Sequence, residues 1–303
     1  MIKDKKPEKI ILDFTYAEDA ENICKQINRT GIPCIIKEQD VGEHEKAMQN
    51  VGPDDSLARQ DILYITDDAG KALMAKTAGV AVLIYFHEDN KAEHFHGCRF
   101  CIEGFEDADA AYYTKVYQRE KRIPWTICET KRLVIREMTA EDTEALYALY
   151  EDKSVVKYME DLPENMEEER EYIKDYIDKV YGVFGFGMWL IVLKDTEEII
   201  GRVGFQNLEV DFSDEKERQE ACLLCMEEKE AEAFWESREA WVELGFLIAS
   251  KYQKKGYAYE ACEAAIAYMK EEFPEYKRMA RCKKENAEAI RLCKKLEIAY
   301  WLV

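Results

Sequence analysis

No hydrophobic run in the sequence is long enough to cross a bilayer. The longest wholly apolar stretch lies between Gly79 and Phe86, far short of the roughly 18 residues a span needs. The opening residues are lysine-rich and lack an apolar centre, so no signal peptide is expected. Positive charge is scarce, with 43 Lys and Arg against 63 Asp and Glu and a formal net charge of -20. That balance argues against general nucleic-acid binding, because phosphate contacts need a basic face. It argues equally against docking on anionic membrane. Ten cysteines in 303 residues are too sparse for a disulfide scaffold, and a reducing cytoplasm is the expected setting. Low-complexity segments and internal repeats are absent. What is present, 47% apolar and 35% charged residues, can bury a core and suits a two-domain length.

Apolar periodicity divides the chain in two. Over the first 121 residues, strand signals at 9–14, 34–36, 62–66, 80–86 and 98–102 alternate with helix signals at 17–30, 70–78 and 107–121. Gly31 with Pro33, and then Gly79, close the first two helices. Asp67 and Asp68 read as turn or N-cap residues. The run at 80–86 does not alternate, as in a strand covered on both faces. Residues 1–125 are therefore expected to form a doubly wound parallel sheet. Residues 121–130, with Pro124, read as a linker. The second domain, 131–303, opens with a strand at 132–136. Thr139 follows as an N-cap, with Asp142 three residues on, for a helix to about residue 150. An acidic helix at 164–180 and antiparallel strands at 188–193 and 199–205 come next. Residues 209–239, with 12 acidic and 4 basic side chains, read as a polar helical insertion. A strand at 241–249, a helix at 257–273, a strand at 276–282, a helix at 287–296 and a short strand at 298–303 complete a mixed α/β domain.

Residues 251–303 carry 12 basic and 8 acidic side chains and are the one positive segment of an acidic protein. They hold the strongest chemical signal, Gln253, Lys254, Lys255, Gly256, Tyr257 and Ala258 between a strand and a helix. Glycine lets a phosphate approach the backbone. The new helix offers free N–H groups and a positive dipole end, and two lysines add charge. The pattern fits a pyrophosphate cradle, although a lone glycine of this kind more often serves a tight turn.

At this point the sequence resembles the GNAT superfamily of acyl-CoA N-acyltransferases, and within it the RimJ/RimL-like branch. Residues 253–258 match that family's Gln/Arg-x-x-Gly-x-Gly/Ala signature. Residues 242–248 look like the strand that lines the thioester, 132–142 like the opening strand and helix, and 200–205 like the third strand. Glu285-Asn286 with Ala289 and Lys295-Leu296 resembles the last helix. The resemblance implies acetyl-CoA as co-substrate, direct transfer in a ternary complex and no metal. It implies that backbone amides of Phe246, Leu247 and Ile248 hold the pantetheine and polarise the thioester carbonyl. Amides of 254–258 would hold the pyrophosphate, and Asn286 would meet the cofactor. A protonated amine cannot attack, so a base must take its proton. Glu243 stands where many relatives place that carboxylate; the alternative is a solvent-facing strand residue. Relatives often use a Tyr seven residues after the Asn as the acid for the leaving thiolate. Here that position is Cys293, a candidate acid or a core cysteine. Two departures matter: Glu297-Ile298 replaces the family's Gly-Phe, and its final strand has no counterpart. That strand could be absent, replaced by the 209–239 insertion, or supplied by a second subunit in a homodimer.

The first domain resembles, less specifically, the Rossmann-like core of HAD-family phosphatases. Residues 63–68 and 76–80 look like that family's acidic motif and following helix. Its nucleophile motif needs two aspartates two residues apart, whereas Asp13-Phe14-Thr15 places Thr where the second belongs. The expectation is a HAD-like fold without the reaction. His94, His96, Cys98 and Cys101 have metal-like composition, but the two cysteines of a strand would face opposite sides. Cys222 and Cys225 would share a helix face. The acidic runs at 160–178 and 209–239 would flank the acceptor side, or form a solvated surface. The reading is thus a cytoplasmic N-acetyltransferase acting on a primary amine, a protein N-terminus or a small cationic amine. Its rivals are a non-enzymatic CoA-binding regulator and a phosphatase in the first domain.

Overall fold

The structure is a computed structural model that describes residues 5–37, 61–151, 157, 162–208, 222–224 and 240–302. It divides into two units, 1–125 and 126–303.

In the first unit, strands β1 (Lys9–Leu12), β2 (Cys34–Ile36), β3 (Ile62–Thr66), β4 (Ala81–Tyr85) and β5 (Cys101–Ile102) form a sheet in the order β2-β1-β3-β4-β5. All its pairings are parallel. Helix α1 (Ala20–Arg29) ends where Gly31 takes a φ of +90°, a conformation that costs other residues steric strain. Helices α2 (Ala69–Thr77) and α3 (Ala110–Glu120) are capped by the Asp68 and Asp109 side chains, which accept from Lys71 and Tyr112 N–H. Ile23 and Ile27 of α1 and Tyr113, Val116 and Tyr117 of α3 pack with Ile10, Leu12, Leu63, Ile65 and Leu83. Ala72 of α2 packs with Val82 and Ile84. Adjacent residues of β4 point to opposite faces, so helices cover both sides of a doubly wound parallel sheet, as the alternating signals imply. The expected strand at 98–102 shrinks to two residues, because Gly97 turns the chain at φ +72° just before it.

The second unit is built on an eight-stranded sheet. Its strands are β6 (Thr126–Glu129), β7 (Leu133–Arg136), β8 (Met188–Leu193), β9 (Ile199–Asn207), β10 (Cys222–Leu224), β11 (Trp241–Ile248), β12 (Lys277–Cys282) and β13 (Ala299–Leu302), in the order β10-β13-β12-β11-β9-β8-β7-β6. The run β6-β7-β8-β9-β11 is antiparallel, and β11-β12-β13 is parallel. Residues 126–129 of the expected linker are therefore strand β6, with Ile127 buried. Thr139 and Asp142 form the expected capping box, around a single 3-10 turn that precedes α4 (Thr143–Tyr150). The acidic helix α5 (Met166–Tyr176) follows. Helix α6 (Tyr257–Glu272) buries Ala261, Cys262, Ala265, Ile266 and Met269, small residues mixed with large ones that let it lie close on the sheet. Helix α7 (Ala287–Leu296) follows β12. Within the insertion expected to be helical, Cys222–Leu224 is a strand paired antiparallel with β13. Cys222 thus lies on a strand at the edge of the sheet and not on a helix face. Cys225 and the rest of 209–239 fall outside the described residues.

Sheet faces follow from residue parity. Trp189 meets Tyr268 of α6 at a ring-centroid distance of 5.6 Å and pairs in register with Val203, so these two face α6. The next residue, Arg202, faces the opposite way, where its Nη1 lies 3.2 Å from the Tyr150 hydroxyl of α4. Gly201 sits opposite Ile248 at the closest approach of β9 and β11. A Cβ placed on Gly201 would lie 2.1 Å from the Leu247 carbonyl oxygen. Gly201→Ala is therefore expected to push β11 away and lower unfolding free energy by about 1–3 kcal/mol, measured by chemical denaturation. Wild-type stability in this variant would show that the strands are not locked at this contact.

Candidate active site

The site begins with a ladder that stops. β11 and β12 pair only through Trp241, Val242 and Glu243, opposite Lys277, Arg278 and Met279. β12 then continues on β13 from Met279 to Cys282, and β11 continues on β9 as far as Ile248. Leu208 N–H donates to the Trp241 carbonyl at 3.0 Å, and Ala249 N–H donates to the Ile200 carbonyl at 2.9 Å. Antiparallel alternation then turns the backbone groups of 243, 245 and 247 toward β9. Those of Leu244, Phe246 and Ile248 face the gap that opens toward β12. The Gln253 side chain donates to the Ile248 carbonyl at 3.0 Å, capping one acceptor at the end of the gap.

The chain then runs through Ser250–Tyr252, a 3-10 turn, into the predicted cradle. Lys254 and Gly256 take positive φ angles of +60° and +85°, and Gly256 is the N-cap of α6. The first-turn N–H groups of α6 have no carbonyl partner inside the helix. Lys254 and Lys255 are exposed, so their ammonium groups stand in solvent around the helix start. Sequence reasoning missed what holds this loop. Glu260, in the first turn of α6, accepts from the Thr130 hydroxyl at 2.6 Å, Arg132 N–H at 3.0 Å and Arg132 Nε at 2.7 Å. Arg132 Nη1 also donates to the Lys255 carbonyl at 3.0 Å, and its guanidinium lies 4.1 Å from the Tyr257 ring centroid. Burial pulls the Glu260 carboxyl upward, but the Thr130 and Arg132 hydrogen bonds prevail and hold it below its usual value. No local pattern could reveal this brace, since 128 residues separate its two sides.

The expected proton-transfer residues lie apart. Glu243 pairs in register with Gln206, which puts it on the face that carries α4. Arg281 of β12 reaches it there, with Nε and Nη2 each 2.7 Å from its carboxylate. Cys282 points the other way and lies 3.8 Å, sulfur to sulfur, from Cys293 of α7. Cys293 is fully buried, so the geometry favours packing over acid catalysis, on the opposite side of the sheet from Glu243. Asn286 is the N-cap of α7 and accepts from Ala289 N–H at 3.1 Å.

The first unit gathers its own charges at the C-terminal edge of its sheet. Asp13 accepts from Lys71 at 2.5 Å, from Tyr64 at 2.5 Å and pairs with Lys37 at 2.9 Å. Burial raises the Asp13 carboxyl, but these partners outweigh it and leave it lowered. Asp67 is wholly buried and accepts from the backbone N–H groups of Thr15, Tyr16 and Ala17 at 2.6, 2.9 and 2.7 Å. Asp68 is an N-cap, as expected. His94 and His96 rings lie 5.9 Å apart, and no group of three metal-type ligands converges among the described residues.

A mixed sheet that splays between two parallel strands, with a positive-φ loop running into a helix at the mouth, defines an acyl-CoA N-acetyltransferase. Residues 132–298 match the family described as acetyltransferase (GNAT) domain. The chain belongs to that family. It is similar to the uncharacterized N-acetyltransferase YnaD of Bacillus subtilis (strain 168), 28% identical over 167 residues that cover 55% of this chain and 79% of the relative. It is also similar to YoaA of the same strain, at 26% over 144 residues, 47% of this chain and 65% of that protein. A GNAT-family acetyltransferase structure from Bacillus anthracis is 21% identical, with a TM-score of 0.39, covering 55% of this chain and 80% of its own.

The brace yields a pH signature. A carboxyl held low in the folded state stabilises above its unfolded value and loses that contribution as pH falls through the folded one. Glu260→Gln should cost about 1–3 kcal/mol at pH 7, and the difference from wild type should shrink below about pH 4. Urea unfolding at several pH values checks it; a difference that stays constant into acid would remove the charge from the brace.

Proposed function

We propose that the second unit transfers an acetyl group from acetyl-CoA to a primary amine in a direct ternary complex. The observation that carries this reading is the gap between β11 and β12, lined by main-chain groups of Phe246 and Ile248 that no neighbouring strand uses. Buried main-chain groups need partners, and the pantetheine arm is an extended chain with amides of its own. It can be taken up at a strand edge as an added strand is. The N–H groups of Phe246 and Ile248 then hold the thioester carbonyl and stabilise the negative charge it gains on attack, while the Leu247 amide, expected to share that task, is spent on β9. The pyrophosphate is held by amides of Lys254, Lys255, Gly256, Tyr257 and Ala258, with the two lysine ammonium groups outside them. Gln253 fixes the strand end, and the Asn286 carboxamide stands at the start of α7 to meet the cofactor.

The amine nitrogen attacks the thioester carbon, the N–C bond forms and the C–S bond breaks. One proton leaves the nitrogen and one is taken up by the departing sulfur. Glu243 receives the amine proton, directly or through water. Arg281 beside it keeps its carboxylate oriented and balanced in charge. The departing sulfur draws its proton from water, since Cys293 lies on the other face. The acceptor is a protein N-terminus or a small cationic amine drawn by the acidic α5 face. The setting is the cytoplasm. The first unit is read as a HAD-like domain without phosphatase chemistry, its Asp13 carboxylate held by Lys71, Lys37 and Tyr64. A second reading, a CoA-binding regulator without turnover, is favoured by the Glu243–Arg281 ion pair, which occupies the base. Steady turnover of acetyl-CoA with an amine library separates the two.

Acetyl-CoA at 100-fold excess over its Kd should raise Tm by roughly 5 °C or more. Gly256→Val should abolish most of that shift, because the side chain stands where the phosphates approach and the residue needs positive φ. A full shift in this variant would sink the cradle.

Glu243→Gln should keep the acetyl-CoA shift and lower turnover by roughly 10² to 10⁴ at neutral pH. The loss should narrow at high pH, where more of the acceptor is a free amine. Near-normal turnover across pH would take Glu243 out of the mechanism.

A further inference from the structure

Two buried thiols meet on the face of the sheet that carries α6, and no step of the acetyl transfer uses them. Cys282 is the last residue of β12, and Cys293 lies within α7. Their sulfurs are 3.8 Å apart, and the two residues are 3% and 0% exposed. Bonded sulfurs stand about 2.05 Å apart, so closure needs an approach of roughly 2 Å. The thiolate is the attacking form of a cysteine, and the described cysteines differ in how readily they reach it. Burial pushes the Cys98, Cys128 and Cys262 thiols up, Cys128 to about 11. Cys24 and Cys34 are also neighbours, but burial and the Cys24 hydrogen bond push the Cys34 thiol up. At Cys282 the hydrogen bond with Cys293 outweighs burial and the Glu243 charge, and holds the thiol below its usual value.

The helix period decides what a bond here would move. Asn286, Ala289 and Cys293 are spaced by three and seven residues, which puts them on one face of α7. Ala289 and Cys293 are the buried residues of that face. Asn286 stands at its start, with its carboxamide oxygen on Ala289 N–H at 3.1 Å. The exposed residues 283–285 join it to Cys282. Drawing Cys293 toward Cys282 therefore shifts the whole stripe, Asn286 included. We propose that Cys282 and Cys293 are a site of reversible oxidation, closed to a disulfide by a hydroperoxide, and that closure displaces Asn286 and weakens acetyl-CoA binding. The effect on acetyl-CoA rests on the reading that gives Asn286 to the cofactor; the bond itself does not. With hydrogen peroxide, the Cys282 thiolate displaces hydroxide and becomes a sulfenic acid. The Cys293 sulfur then attacks Cys282, the S–S bond forms, the S–O bond breaks and water leaves with the Cys293 proton. Two thiols and one peroxide thus become one disulfide and two waters, and a dithiol reductant returns the two electrons. In a reducing compartment such a pair stays open until an oxidant arrives.

The test treats the full chain with hydrogen peroxide, alkylates the remaining thiols without reduction and maps the peptides by mass. The expected product joins the Cys282 and Cys293 peptides with the mass of two hydrogens lost, and leaves the other cysteines alkylated. Acetyl-CoA affinity is then read by thermal shift on the oxidised protein and on the same sample after dithiothreitol. Oxidation should raise Kd about tenfold, the worth of one displaced hydrogen bond, and the reductant should restore it. Cys282→Ala and Cys293→Ala should each keep the reduced-state affinity and lose its response to peroxide. That loss separates the bond from oxidation elsewhere in the chain. Either variant removes the bond by itself, and Cys293→Ser does the same if the alanine variants fail to fold. Peroxide that joins other cysteines, stops at a sulfinic acid on Cys282 or leaves both thiols free to alkylate would overturn the site. A mapped disulfide with unchanged acetyl-CoA affinity would overturn its effect. Absence of any acetyl-CoA shift in the reduced wild type would instead defeat the cofactor reading, and the peptide map would still decide whether the thiols bond.

Discussion

The second unit is organised by a main-chain mismatch. β12 is satisfied by β13 from Met279 to Cys282, and β11 by β9 from Val242 to Ile248. Beyond Glu243 and Met279 the two strands part, β11 following β9 to Ile248 and β12 following β13 to Cys282. The Phe246 main-chain groups and the Ile248 N–H are left to whatever enters the gap, while the Ile248 carbonyl takes Gln253. The close approach at Gly201 keeps β11 on β9, so the gap is held open from its closed side. The brace from Thr130 and Arg132 to Glu260 fixes the first turn of α6, and with it the orientation of the N–H groups at the mouth. These two constraints come from opposite ends of the domain sequence and meet at one loop.

The same sheet divides its two chemistries by face. Side chains of Val242, Leu244, Phe246 and Ile248 point toward α6, and those of Glu243 and Leu247 toward α4. Lys254 and Lys255 ring the start of α6, while Glu167, Glu168 and Glu169 occupy the first turn of α5. The basic and the acidic clusters thus stand on different elements of one domain. Such an arrangement explains how a protein with a net charge of -20 keeps a local attraction for a polyphosphate.

Much of this was legible in the sequence wherever the cause was local. Gly256 needs positive φ, so a strand–glycine–helix junction could be read from residues 241–273 alone. Thr139 and Asp142 carried their capping box in four residues, and Asp68 its cap in as few. Elements whose cause is distant were not legible. Strand β6 looked like a linker because Pro124 precedes it and only pairing with β7 makes it a strand. Cys222–Leu224 sits in an acidic segment with helical composition, and only β13 gives it a partner. The Glu260 brace, the Glu243–Arg281 pair and the sulfur contact of Cys282 with Cys293 each depend on which face a strand residue takes. Parity fixes that only after the register is known.

The first unit illustrates why residue types alone do not define a reaction. Asp13 lies at the C-terminal end of β1, the edge at which doubly wound sheets bind ligands, and its carboxylate is buried. A carboxylate that attacks must have an oxygen lone pair aimed at the incoming atom. Here one oxygen takes the Lys71 ammonium, and the other takes the Tyr64 hydroxyl and Lys37. Asp67 spends its own oxygens on three consecutive N–H groups after β1, and Thr15 gives its hydroxyl to Asp68 at 3.0 Å. Each charge that could carry chemistry is thus used to hold the loop after β1 against the loop after β3. Asp13, Asp67 and Asp68 thereby link the chain after β1 to Tyr64, Lys71 and Lys37. The placement of charge is what a catalytic edge requires, and the hydrogen bonds are what a structural one requires.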